Sequence, residues 1–109
     1  MDKYFIAVDF DGTLVKDKFP EIGNVNHKGM YLLANELDKA RKLNREPVVI
    51  LWTCRTDREE GDYLAQAVEW CKKKGLQIDY VNENPESPYG DWQRKVFADV
   101  YIDDKAVVV

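Results

Sequence analysis

Tyr4-Phe5-Ile6-Ala7-Val8, followed at once by Asp9-Phe10-Asp11-Gly12-Thr13, is the stretch on which the fold turns. Five apolar residues in a row predict a strand buried on both faces, and the acid-rich, glycine-containing segment after them predicts a tight turn at its tip. Two carboxylates at the end of a buried strand are badly placed for packing. They are well placed for chemistry, because a parallel α/β sheet binds ligands at the carboxyl ends of its strands. Asp9 offers an oxygen nucleophile and Asp11 a second carboxylate able to move a proton, so the pattern points to phosphoryl transfer.

Working outward, the chain alternates strand-like and helix-like stretches. Residues 4–9 read as the first strand. A connection containing Phe19-Pro20-Glu21-Ile22-Gly23-Asn24 follows, and Leu33, Leu37, Ala40 and Leu43 then recur at helical spacing to about residue 44. Val48-Val49-Ile50-Leu51-Trp52 is a second buried strand that stops at Thr53. Leu64, Ala67, Val68 and Cys71 mark a second amphipathic helix ending at Gly75, a residue suited to the left-handed position after a helix. Residues 78–81 form a short third strand. A short helical segment is expected around Trp92 to Ala98, before a fourth strand at Val100-Tyr101-Ile102. Strands separated by helices predict an α/β class fold with a parallel sheet, right-handed crossovers and helices on both faces.

The 109 residues fit one domain, 1–109, with no internal repeat. Sixteen Lys and Arg against twenty Asp and Glu give a net charge of -4, which disfavours nucleic acid as a main partner. No apolar run approaches bilayer length and the start lacks a secretory pattern, so no membrane partner and a cytoplasmic location are expected. Cys54, Cys71 and the single His27 are too few for a disulfide framework or a zinc site. Both cysteines read as reduced thiols, with Cys71 on the inner face of its helix.

The polar residues at strand ends form the real signal. Asp9 and Asp11 end the first strand, Thr53 the second, and Asp103 and Asp104 the fourth, so a parallel sheet brings all five to one rim. Converging carboxylates repel unless a cation lies among them. An all-oxygen ligand set favours Mg²⁺ over zinc or copper.

With those residues in place, the chain resembles the haloacid dehalogenase-like phosphohydrolases. The likeness rests on Asp9-Phe10-Asp11-Gly12-Thr13 after a hydrophobic strand, Thr53 after Ile50-Leu51-Trp52, Lys95 as the lysine motif, and Asp103-Asp104 after Val100-Tyr101-Ile102. Leu51-Trp52-Thr53-Cys54-Arg55 and Ala98 to Asp104 look more narrowly like short members of bacteria and phage. The resemblance implies a Rossmann-like domain of that type and a Mg²⁺-dependent phosphatase acting on a phosphorylated substrate. Asp9 would be the nucleophile, Asp11 the acid and base, and Thr53 and Lys95 the groups steadying the phosphoryl oxygens. Mg²⁺ would be held by Asp9, the Asp11 carbonyl and Asp103, with Asp104 a further ligand. Gly12, Thr13 and Arg55 would contact substrate. The retained Asp11 separates phosphate ester hydrolysis from dehalogenation, since a halide leaves without a proton. Too few residues follow Thr13 for a cap domain, which implies an open site.

Each residue also has a plainer reading. Asp9, Asp11 and Asp103 are then turn and capping acids, Thr53 a strand end, Lys95 a solvated lysine and Arg55 a surface ion-pair partner. Two other functions stay open: a non-catalytic module that binds metal or a phosphorylated ligand, and a receiver-type phospho-accepting domain. A receiver, however, carries its acceptor on the third strand. Val107 to Val109 are read as an edge strand or as a tail docking on a second copy in a homo-oligomer.

Overall fold

The computed structural model describes residues 2–90, 96–103 and 107–108. Its elements in chain order are β1 (Lys3–Val8), α1 (His27–Lys42), β2 (Glu46–Leu51), β3 (Asp57–Arg58), β4 (Gly61–Asp62), α2 (Tyr63–Lys73), β5 (Tyr80–Val81), β6 (Val100–Ile102) and β7 (Val107–Val108). The main sheet runs β5-β2-β1-β6-β7. Its first four strands are mutually parallel, and β7 closes the edge antiparallel to β6. The edge strand expected at the C-terminal valines is therefore present at Val107–Val108. No helix among the described residues is long and apolar enough to cross a membrane.

β1 lies between β2 and β6, and Tyr4 to Val8 are all buried. Side chains alternate across a strand, so one set (Tyr4, Ile6, Val8, Val49, Leu51, Val100, Ile102) shares a core with Leu33 and Ala40 of α1 and Ala67 and Cys71 of α2. The opposite set (Phe5, Ala7, Val48) packs with Ala98, Trp52, Tyr80, Phe97 and Tyr101. Both described helices thus lie on one face, which corrects the expectation of helices on both. The crossovers β1 to β2 and β2 to β5 step the same way along the sheet, and right-handedness puts both helices on the same side. On the other face the described end of the third connection, Val96 to Ala98, packs just before β6. Val96 to Ala98 within it are not helical, and the remainder of the helix expected at Trp92 to Ala98 lies outside the described residues.

Two aspartates pin the outer strands at the amino edge of the sheet. Asp79, just before β5, donates its N–H to the Val49 carbonyl (2.8 Å) while its carboxylate accepts the Val49 N–H (2.7 Å). Asp99, just before β6, makes the same pair of bonds to Phe5, at 2.8 and 2.7 Å. Each carboxylate stands in for a strand carbonyl and fixes register where the ladder begins. The sequence pattern does not announce this, and neither does it announce the β3–β4 hairpin, whose two-residue strands are too short to alternate. That hairpin contributes Asp57, whose Oδ1 accepts the Leu64 and Ala65 N–H groups at 3.1 and 3.0 Å and so caps α2.

Replacing Asp99 with Ala leaves the Phe5 N–H without its acceptor and should lower unfolding free energy by about 1–3 kcal/mol. Asp99→Asn, which keeps an acceptor oxygen, should recover most of the loss in a denaturant titration. Burial pushes the Cys71 thiol up to about 11, whereas Cys54 is exposed. An alkylating reagent at neutral pH should therefore modify Cys54 in the folded protein and Cys71 only on unfolding, read by mass spectrometry.

Candidate active site at the carboxyl rim

The strand order reverses at β1: the chain leaves it toward β2 and β5, and later returns on its far side as β6. A crevice at the carboxyl ends of β1 and β6 follows from that topology. The parallel ladder continues past the last strand residues, with the Asp9 N–H donating to Ile102 O at 3.0 Å and the Trp52 N–H to Val8 O at 2.8 Å. Because Ala7 pairs with both Ile50 and Tyr101, the next outward positions on that face are Asp9, Trp52 and Asp103. A cavity of about 560 Å³ opens there, lined by Ala7, Asp9, Trp52, Thr53, Cys54, Asn82, Tyr101, Ile102 and Asp103.

The turn after Asp9 is built around one carbonyl. Phe10 O accepts the N–H groups of Thr13, Leu14 and Val15 at 3.1, 3.0 and 3.3 Å. The Asp9 carboxylate accepts the Phe10 N–H at 2.9 Å, and Gly12 takes φ +84°, a left-handed conformation that glycine adopts without strain. The Phe10 ring is fully buried and meets Trp70 of α2 edge to face, with centroids 5.5 Å apart. Helix α1 is drawn against the same turn. A Cβ at Gly29 would stand 1.7 Å from the Thr13 carbonyl oxygen, so only glycine fits.

Thr53 stands at the cavity wall with its N–H donated to Asn82 Oδ1 at 2.7 Å. Its hydroxyl oxygen accepts the Arg55 N–H at 3.1 Å, and a hydroxyl that accepts still has a proton to give a ligand. Asn82, at φ +55° directly after β5, thereby holds the Thr53 loop in place, a role its sequence surroundings did not signal.

Asp11 does not line the cavity. Its carboxylate makes a two-pronged ion pair with Arg55, Nε to Oδ2 and Nη2 to Oδ1, both at 2.7 Å. The remaining guanidinium protons go to the carbonyls of Pro20, Glu21 and Tyr63 at 3.2, 3.0 and 3.3 Å. Phe10 and Phe19 also present ring faces to the Arg55 guanidinium, at 5.2 and 5.1 Å. Arg55 is 1 % exposed, so the substrate contact expected of it is corrected: its five N–H groups all point inward to protein oxygens. Thr13 is corrected likewise. The Gly12 N–H is donated to Val15 O at 2.8 Å, and Thr13 is fully buried, with no partner for its hydroxyl among the described residues. Lys95 and Asp104 lie outside the described residues.

Among the described residues no group of three or more His, Cys, Asp or Glu side chains is gathered as a metal site. Two of the expected carboxylates, Asp9 and Asp103, do share the cavity, and the third, Asp11, is turned to Arg55. The two carboxylates on adjacent strands are hard oxygen donors, a donor type that suits Mg²⁺, which completes its shell with water and ligand oxygens.

No protein-family model matches this chain, and no curated protein is significantly similar to it. Among solved structures, a conserved protein from Bacteroides thetaiotaomicron has 32% sequence identity to it and superposes with a TM-score of 0.66. The match covers 96% of this chain and 78% of that one. Identity at that level over nearly the whole chain, on a shared α/β fold, places the two together: the chain belongs to the same family as that conserved Bacteroides thetaiotaomicron protein.

Proposed function

We propose that this protein is a Mg²⁺-dependent phosphohydrolase of the haloacid dehalogenase-like kind, cleaving phosphate monoesters through an aspartyl-phosphate on Asp9. One observation carries the reading. Asp9 and Asp103 follow adjacent parallel strands and line one cavity, whose wall Thr53 shares. Acids from distant parts of the chain brought to one crevice favour a phosphate and cation site over turn chemistry.

In this reading an Asp9 oxygen attacks phosphorus while the ester oxygen leaves with a proton from Asp11. Asp11 starts this cycle as the carboxylic acid; the carboxylate it becomes takes a proton from the water that attacks the phosphoryl group on Asp9, releasing phosphate and restoring the Asp9 carboxylate and the Asp11 acid. Thr53 donates its hydroxyl proton to a phosphoryl oxygen through both steps. Mg²⁺, held by Asp9, Asp103 and the Asp11 carbonyl, would neutralise charge on the phosphoryl oxygens. The resemblance would add Asp104 as a further metal ligand and Lys95 as the cation that steadies the phosphoryl oxygens.

A second reading has one observation in its favour. The carboxylate that would move the proton is tied down in a buried ion pair, which suits a module that binds a phosphorylated ligand without turning it over. Calorimetry giving Mg²⁺-dependent phosphate binding, together with no hydrolysis on a broad ester panel, would decide for it.

On the leading reading, purified protein with Mg²⁺ hydrolyses p-nitrophenyl phosphate, and Asp9→Asn lowers kcat by at least about a thousandfold with the fold intact. Asp103→Asn should shift the Mg²⁺ concentration for half-maximal rate upward by about tenfold or more while KM for the ester changes less. Equal activity in wild type and Asp9→Asn would count against the nucleophile.

A further inference from the structure

Arg55 is the largest fully buried side chain among the described residues, and it is charged. A buried ion pair seldom stabilises a fold more than apolar side chains of equal bulk would, so stability alone does not account for a guanidinium there. Its geometry is more specific than its charge. Both Asp11 oxygens are engaged by one planar fork at 2.7 Å, and three backbone carbonyls from the 20–21 loop and the start of α2 hold the fork itself. The Asp11 backbone is set independently, because Phe10 O gathers the N–H groups of the turn around it. With backbone and guanidinium both fixed, only the Asp11 side-chain torsions are left to adjust.

We infer that Arg55 is a positioning residue for Asp11: it sets the plane and resting place of the carboxylate that exchanges protons with the leaving group, and takes no part in binding phosphate. The inference rests on the phosphohydrolase reading. Asp11 is two residues from the nucleophile, so in this reading its side chain must leave the fork and take up a proton to serve an ester oxygen at Asp9, and on turning back it regains one defined orientation. Lysine at this position keeps the charge. It cannot reproduce the two parallel bonds and the three carbonyl contacts, so the carboxylate loses its fixed starting point.

The leaving group separates a proton-transfer role from the others. An alkyl phosphate needs its ester oxygen protonated, whereas p-nitrophenolate departs well without help. Steady-state kinetics on both esters should give, for Arg55→Lys, a kcat/KM lower by about a hundredfold on the alkyl ester and less than about threefold on the nitrophenyl ester, because kcat/KM ends at departure of the leaving group and leaves out the later proton transfer from water to Asp11. Asp11→Asn should lose at least as much on the alkyl ester, and the double variant should be no worse there than Asp11→Asn alone, as expected for residues acting in series. If Arg55→Lys does not fold, Phe19→Ala removes one aromatic face from the guanidinium at a half-exposed position. It should give the same alkyl-selective loss, about threefold. Equal losses on the two esters, or a rise in KM on both, overturn the role of Arg55 and leave the phosphohydrolase reading standing. A wild-type protein that hydrolyses neither ester ends both.

Discussion

The parallel pairing of β1 between β2 and β6 is the constraint on which the rest depends. A strand paired on both sides can hold only one register, since a slip by one residue would turn Ile6 and Val8 out of the helix-covered core and bring Phe5 and Ala7 into it. That same register sets the rim. It puts Asp9 level with Trp52 and Asp103 on a single face, and it does so through backbone bonds at the Asp9 and Trp52 N–H groups rather than through any attraction between the acids. The carboxylates are gathered by the sheet, and the core provides the free energy that holds them together against their repulsion.

Acids at the two edges of this sheet do opposite work. At the amino edge Asp79 and Asp99 use their oxygens to continue the ladder, each satisfying a strand N–H that would otherwise be orphaned. At the carboxyl rim Asp9 and Asp103 face a cavity. Asp11 belongs to neither group. Two residues from Asp9 in sequence, it is turned to a guanidinium that also ties the 20–21 loop to the first residue of α2. The turn, the loop and the second helix therefore meet at a single buried cation, and the orientation of Asp11 is coupled to the packing of all three.

Much of this was legible beforehand. Long apolar runs and helical spacing located β1, β2, β6 and both helices to within a few residues, because burial on one or two faces imposes a period that a sequence must carry. Asp9 after β1 and Asp103 after β6 could be assigned to one rim from the parallel order alone, but nothing in that order separated Asp11 from them. Less was legible where a contact joins residues with no pattern between them. Arg55 has the composition of a surface residue and the burial of a core one. Thr13 reads as part of a ligand loop but is sealed under α1, where Gly29 lets the helix touch its carbonyl.

Side-chain alternation and strand order are local properties summed along the chain, and they were enough to read the class of the fold and the carboxylates that arrive at the strand ends. Only the tertiary structure decided that both described helices share one face and that Asp79 and Asp99 act as strand carbonyls. It alone also decided that Arg55 is spent on Asp11 rather than offered to a ligand. The physical reason is the same in each case. Hydrogen bonds and ion pairs reach across about 3 Å between segments tens of residues apart, and nothing in the spacing of either segment records where the other will pass.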